Sequence, residues 1–198
     1  MEISHAISDI VLALVGVFVF FRYLFKLDLV ACLLWEAFVL SVTVAAAFGA
    51  VRFLGASTYA LIVSEFFQHL AGTVGAFSLV FVTLFLVLKK PVPVNFAYVV
   101  VGLGFIAFTV VRLTDNMQVL NAVLTVSIPL VLLMGIWALI KGERSIGAWL
   151  ILAVVALVMG TYNKSFMPNT IIDSIDVYHY LLAISLFCFG RAASHQVH

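Results

Sequence analysis

Long apolar runs are the feature of this sequence that most constrains its fold. Seven of them follow one another, over about 7–25, 29–50, 58–88, 95–113, 118–140, 145–162 and 174–190. A helix needs about 20 apolar residues to cross the hydrocarbon core of a bilayer. The runs are continuous, whereas the strands of a membrane β-barrel alternate between apolar and polar residues. We therefore predict an all-α integral membrane protein, a bundle of seven transmembrane helices that forms one domain over residues 1–198.

The charge content supports the same class of protein. Only 10% of the residues are charged and 65% are hydrophobic, whereas soluble domains carry about 25% charged residues. We expect the protein to lie in the cell (inner) membrane, with membrane lipids as its immediate partners. The net charge of +1 offers no basic surface of the kind that binds nucleic acid, so no nucleic-acid partner is expected.

The third run is longer than one perpendicular helix requires. It extends from about 58 to 88, which leaves two interpretations: a tilted helix, or an extra first turn that lies outside the bilayer. Lysines and prolines over 89–93 end it, because proline does not continue a helix and lysine favours the membrane interface. A polar loop from Asn163 to Asp173, which contains Pro168, precedes the seventh run.

The distribution of lysine and arginine predicts the orientation. Seven spans place the two termini on opposite sides, and cytoplasmic loops carry the excess of basic residues. One side would hold seven of them, namely Arg22, Lys26, Lys89, Lys90, Lys141, Arg144 and Arg191. The other side would hold three, namely Arg52, Arg112 and Lys164. We therefore predict that the N terminus lies outside and the C terminus in the cytoplasm.

Three carboxylate–histidine pairs lie at helical spacing near the predicted outer side. They are His5/Asp9, Glu65/His69 and Asp176/His179. Residues three or four positions apart share one face of a helix, and ionisable groups within apolar spans usually have a function. Such a face suits a divalent metal or a proton-transfer base. The structural alternatives are interfacial polarity and a hydrogen-bonded pair that only fixes helix packing.

The pairs predict specific roles if they converge. His69 and His179, together with His5 and Asp9, would bind zinc or another divalent metal, and Glu65 or Asp176 would act as ligand or general base. Arg52 and Arg112 would balance the acids, hold a lipid phosphate or carboxylate, or extend to lipid headgroups. Glu36, well inside the second span, would be protonated and hydrogen-bonded, serve a proton path or contact a partner subunit.

The start of the last span resembles a known family. The segment Asp173-Ser-Ile-Asp176-Val-Tyr-His179-Tyr-Leu-Leu-Ala is similar to the last helix of the seven-helix membrane hydrolases that include alkaline ceramidases and adiponectin receptors. The resemblance implies a zinc-dependent amidase that acts on lipids, with His179 as a zinc ligand. The family has a second histidine four residues earlier, where this sequence has Ile175, and another in the second span, where this sequence has none.

Three functions follow from these patterns. The first is hydrolysis of a lipid amide or ester at a polar, metal-binding site in the outer leaflet. The second is a non-enzymatic accessory or structural subunit of a larger membrane complex, with partner membrane subunits or further copies of the chain. The third is a transporter of a metal ion or small solute, against which stands the scarcity of polar residues in the inner half.

Overall fold

The fold is entirely helical over the part of the chain that the computed structural model describes, which is residues 2–55, 58–114, 116–166 and 173–196. These residues form eight α-helices and no β-strand: α1 (Glu2–Arg22), α2 (Leu29–Phe53), α3 (Thr58–Leu70), α4 (Ala76–Leu88), α5 (Val94–Thr114), α6 (Met117–Ile140), α7 (Arg144–Phe166) and α8 (Ser174–Ala193). A π-helical turn, Ala71–Gly75, joins α3 to α4. The prediction of an all-α protein is confirmed.

Six of these helical segments are long and apolar enough to cross a membrane. They are Ile3–Lys26, Leu29–Phe53, Thr58–Leu88, Val94–Thr114, Met117–Ile140 and Arg144–Phe166. The remaining helix, α8, has 20 residues and carries polar side chains in its first two turns. Six to seven long apolar helices are compatible with the predicted helical membrane protein by length and composition, and the long third run is one continuous helical segment.

Two helix boundaries differ from the predicted ones. Helix α1 begins at Glu2 rather than near residue 7, and Ser4, His5 and Ser8 of its first turns contact Asp176 of α8. Helix α7 continues to Phe166 and takes up the start of the predicted polar loop. Residues 167–172 of that loop, with Pro168, lie outside the described residues. Asp173 then caps α8, since its Oδ1 accepts a hydrogen bond of 2.9 Å from the backbone N–H of Ile175.

The helices close into a ring. Helix α1 packs between α2 and α8, α2 packs on α3, α4 packs on α6, and α7 packs between α6 and α8. Helix α5 lies outside this ring against α4 and the π-helical turn. The ring brings the first and last helices of the chain together, and this contact builds the candidate site.

Polar contacts join several loops at the end of the bundle opposite that site. Lys89 Nζ lies 2.6 Å from Glu143 Oε1 and joins the end of α4 to the turn before α7. Ser145 Oγ lies 3.0 Å from His195 Nε2 and joins the start of α7 to the segment after α8. These residues therefore share one end of the bundle, as the antiparallel course of the spans predicts.

Close packing fixes the middle of the third segment. A Cβ atom added to Gly75 would lie 2.8 Å from the backbone oxygen of Ala37, and one added to Gly104 would lie 2.6 Å from the Cα of Val74. The π-helical turn is therefore held between the backbones of α2 and α5. Small residues at such crossings let membrane helices approach closely.

Candidate functional site

Two histidine–aspartate contacts join α1 to α8, and they cross between the helices. His5 Nδ1 lies 2.9 Å from Asp176 Oδ1, and His179 Nδ1 lies 3.3 Å from Asp9 Oδ1. Each residue therefore pairs with a partner on the other helix rather than with its neighbour in sequence. The first contact is almost completely enclosed, because the Asp176 side chain is 1% exposed. The two pairs together tie the first helix to the last.

Two serines complete the network around Asp176. Ser4 Oγ donates to Asp176 Oδ2, and Ser8 Oγ lies 2.8 Å from Asp176 Oδ1. Ser8 Oγ also lies 3.0 Å from His179 Nδ1. A hydroxyl has one hydrogen to donate and lone pairs to accept. If Ser8 donates to Asp176, it accepts from the Nδ1–H of His179, so the serine links the two pairs.

The same geometry assigns the ring nitrogens of both histidines. A carboxylate at Nδ1 places the proton there and leaves Nε2 as the basic nitrogen. For His5, Nδ1 meets Asp176 and Nε2 lies 3.9 Å from Asp173 Oδ2, beyond direct hydrogen-bonding distance. For His179, Nδ1 meets both Ser8 and Asp9. Each imidazole therefore keeps Nε2 available for a ligand or a proton.

A cavity of about 540 Å³ opens beside this network. Helices α1, α2, α3, α6, α7 and α8 and the π-helical turn line it, whereas the lining includes no residue of α4 or α5. Its polar lining residues are His5, Asp9, Arg52, Ser64, Gln68, Thr161, Lys164, Tyr178 and His179. The volume is within the range of about 300–1,000 Å³ that is typical of small-molecule sites.

The cavity has a polar end and an apolar remainder. The polar residues come from the first turns of α1 and α8, the last turns of α2 and α7, and α3, which all meet at one end of the ring. Away from that end the lining is mostly apolar and includes Leu12, Phe38, Leu124, Ile128, Leu157 and Leu182. The shape therefore matches a molecule with one polar and one apolar part.

Comparison with family models covers almost the whole chain. A model described as a family of unknown function matches residues 4–198, which include all four residues of the crossed pairs. The chain belongs to this family, DUF6962. Comparisons with curated proteins and with solved structures found no match.

Membership of DUF6962 names no chemistry, so the roles of the predicted site residues depend on their positions. His5, Asp9, Arg52 and His179 line the cavity, and Asp176 lies directly behind His5. The structure thus brings two of the three predicted pairs into one network.

The third predicted pair does not join them. Glu65 is exposed and His69 is buried, and neither is among the residues that line the cavity. The same helix presents Ser64 and Gln68 to the cavity instead. Ser64 Oγ donates to the backbone oxygen of Ala45 at 2.8 Å and accepts from Gln68 Nε2 at 3.1 Å. The residues of α3 that face the cavity, Ser64 and Gln68, therefore each precede a predicted residue by one position.

Two further predicted residues lie away from the cavity lining. Arg112 is exposed near the end of α5, the helix outside the ring. Glu36 is half-buried, and its Oε1 accepts a hydrogen bond of 2.9 Å from Cys32 Sγ one turn earlier in α2. A contact between Glu36 and a partner subunit stays a prediction.

Several members of the site were not predicted from the sequence. Ser4 and Ser8 recur at the same four-residue interval as His5 and Asp9, so the spacing of α1 carried a signal that would have identified them. Lys164 and Tyr178 gave no such signal, because they reach the cavity only through the packing of α7 on α8.

The network offers an incomplete set of metal ligands. Over the described ranges, 2–55, 58–114, 116–166 and 173–196, no three histidine, cysteine, aspartate or glutamate side chains are grouped to hold a metal ion. Asp176 accepts from His5, Ser4 and Ser8. The side chains around Asp176 therefore hydrogen-bond to one another and are not grouped around a common metal position.

Proposed function

We propose that the protein is a membrane-embedded hydrolase that takes a lipid into the cavity and cleaves an amide or ester bond in it. The observation that carries this proposal is the position of the His5–Asp176 pair at the polar end of a cavity whose remainder is apolar. A lipid would place its apolar chain in the deep part and its polar bonds beside the imidazoles.

The geometry of His5 suits a general base. Asp176 holds Nδ1 and orients the ring, which leaves Nε2 to accept a proton. A water beside Nε2 would lose a proton to His5 as its oxygen attacks the carbonyl carbon. The imidazolium would then return that proton to the departing amine or alcohol, and the acid is the second product. A positioned base of this kind contributes about 10²–10⁴-fold to the rate.

His179 stands as a second imidazole at the same end. Its Nδ1 contacts Asp9 and Ser8, so its Nε2 is also basic. We assign it to binding the polar part of the lipid. Glu65, the base predicted from sequence, is exposed outside the cavity lining, so we assign the base to His5 and the orienting role to Asp176.

The zinc or other divalent ion expected from the sequence stays a prediction. Histidines that bind metals commonly hold a carboxylate at the other ring nitrogen, an arrangement that His5 shares with Asp176. The described side chains supply no grouped set of three ligands, so the mechanism above assigns no step to a metal. Elemental analysis of the purified protein tests whether a metal ion is bound. If it is, its occupancy should fall in the His179→Ala variant.

The proposed orientation puts the polar end of the cavity in the outer leaflet of the cell (inner) membrane. It follows from the seven basic residues assigned to one side and the three assigned to the other. Arg52 and Lys164, two of those three, are at the cavity. A lipid would then enter from the leaflet that faces away from the cytoplasm.

The test of the proposed function is turnover of defined lipids. Purified protein in detergent is incubated with N-acyl and O-acyl lipids of equal chain length, and released fatty acid is measured by mass spectrometry. We expect His5→Gln to reduce the rate by about 100-fold or more. His195→Gln is the matched control, because this histidine contacts Ser145 at the opposite end of the bundle. Equal rates in the two variants would remove His5 from the mechanism.

A further inference from the structure

Two basic side chains stand at the polar end of the cavity, and each is placed beside one of the site histidines through an aromatic ring. Arg52 Cζ lies 5.2 Å from the centroid of Phe53, and that ring lies 5.1 Å from the ring of His5. Lys164 Nζ lies 4.9 Å from the centroid of Tyr178, whose ring lies 5.6 Å from the ring of His179. Both cations line the cavity.

Neither cation forms a close ion pair with a carboxylate of the described residues. Within the part of the chain that the structure describes, neither Arg52 nor Lys164 has a carboxylate oxygen within 4.0 Å, whereas Lys89 pairs with Glu143 at 2.6 Å. Asp176 and Asp9 are instead engaged by His5 and His179. Arg52 and Lys164 therefore line the cavity without a close carboxylate contact in the described residues, while Arg52 interacts with Asp9 only at longer range.

We propose that the ligand of this cavity is an anionic amphiphile with a single hydrocarbon chain. Its phosphate or carboxylate lies between Arg52 and Lys164, which donate charge-assisted hydrogen bonds to it. Its chain lies along the apolar lining formed by residues such as Leu124, Ile128 and Leu157. The inference rests on the proposed function for the carbonyl beside His5, but the head group is argued from the cations alone.

The cavity volume supports one chain rather than a bulkier lipid. Gly72 lines the cavity, and a Cβ atom there would lie 2.5 Å from Leu120 Cδ1. The π-helical turn and α6 are thus in close contact at this point of the wall. The volume of about 540 Å³ corresponds to one ligand of drug-like size.

Binding of ether-linked probes tests the inference without requiring hydrolysis. The probes are a single-chain glycerol ether that carries a phosphate and the same ether without the phosphate, and retention is measured by native mass spectrometry. We expect the phosphate probe to bind about tenfold or more tightly, because hydrogen bonds between charged groups are stronger than neutral ones. Arg52→Gln and Lys164→Gln should each reduce this preference severalfold.

Arg112→Gln is the matched control, since Arg112 is an exposed arginine that does not line the cavity. Equal binding of both probes, or an equal effect of the control variant, would overturn the proposal. Inorganic phosphate that competes at the same concentration as the phosphate probe would identify a soluble anion and likewise overturn the amphiphile. A phosphate preference in parent protein that hydrolyses none of the acyl lipids would support the head-group inference while the hydrolase fails.

Discussion

His5 and Asp176 are 171 positions apart in sequence, and their side chains meet at 2.9 Å between Nδ1 and Oδ1. The contact joins the first helix of the bundle to the last and aims the imidazole at the cavity. Because Asp176 also accepts from Ser4 and Ser8, one buried carboxylate organises three side chains of α1. The position of the proposed base therefore depends on a residue from the other end of the chain.

Replacing this carboxylate should weaken both the site and the fold. Asp176→Asn puts an amide where three donors converge, so at least one of these hydrogen bonds is lost or reversed. We expect a loss of about 1–2 kcal/mol in stability, the scale of strong hydrogen bonds between membrane helices. Thermal unfolding in detergent measures it, with Glu65→Gln as the exposed control. A melting curve equal to that of the parent protein would show that the network contributes nothing to stability.

A glycine on α2 should be essential to the position of Asp9. A Cβ atom added to Gly49 would collide with the Asp9 carboxylate, so Gly49→Ala should displace it and weaken its contact with His179. We expect lipid turnover or retention to fall severalfold. Gly102→Ala is the control, because nothing lies within 4 Å of its added Cβ, and alanine should stabilise that helix by about 0.5–1 kcal/mol. Equal activity of the two variants would show that a Cβ atom at residue 49 does not disturb Asp9.

Ser8 should couple the two histidine–aspartate pairs. It contacts Asp176 and His179 at 2.8 and 3.0 Å, and it does not line the cavity. Ser8→Ala should therefore slow turnover more than it reduces retention of a bound lipid, because Ser8 acts on both pairs but does not itself touch the ligand. In a double-mutant cycle with Asp9→Asn, the two effects should not add. Additive effects would mean that the pairs act independently.

The proposed orientation predicts that cysteines introduced at the two ends of α7 differ in their reaction with a membrane-impermeant reagent. Cys32 and Cys188 are buried, so a single introduced cysteine should dominate the signal. Phe166→Cys, at the exposed end of α7 near the cavity, should react with a membrane-impermeant maleimide in intact cells. Arg144→Cys, at the other exposed end, should react only after permeabilisation. The reverse pattern would invert the orientation and place the cavity on the cytoplasmic side.

The helices could be predicted from the sequence, and so could the two carboxylate–histidine pairs that form the site. Apolar length alone predicted each helical segment, because a bilayer span leaves few other solutions. Spacing also showed that His5 shares a face with Asp9, and Asp176 with His179. The crossed partners were beyond this reasoning, since they depend on α1 packing against α8 with a particular rotation. The same limit explains why Lys164 was assigned to the outer side but not to the cavity.

Glu65 and His69 show a different limit. Their spacing is correct for one helical face, yet the cavity receives Ser64 and Gln68, one residue earlier in each case. Which face points inward depends on how α3 is rotated against α2, and Ser64 fixes that rotation through its hydrogen bond to Ala45. A hydroxyl that bonds to a neighbouring backbone carries no periodic signal, so spacing could not have predicted the choice.

The π-helical turn at Ala71–Gly75 has a consequence for how this protein tolerates insertions and deletions. A π-helical turn accommodates one residue more than an α-helix would, and each residue rotates a helix by roughly 100°. Deleting one residue here would restore regular winding and leave α3 and α4 in nearly their present phase, because the wide turn already absorbs the extra residue. A deletion elsewhere in Thr58–Leu88 would instead rotate one half of the segment by roughly 100°. Either Ser64 and Gln68 would then leave the cavity, or the α4 contacts with α6 would shift. The π-helical turn is therefore the point of this membrane segment where a shorter chain is best tolerated.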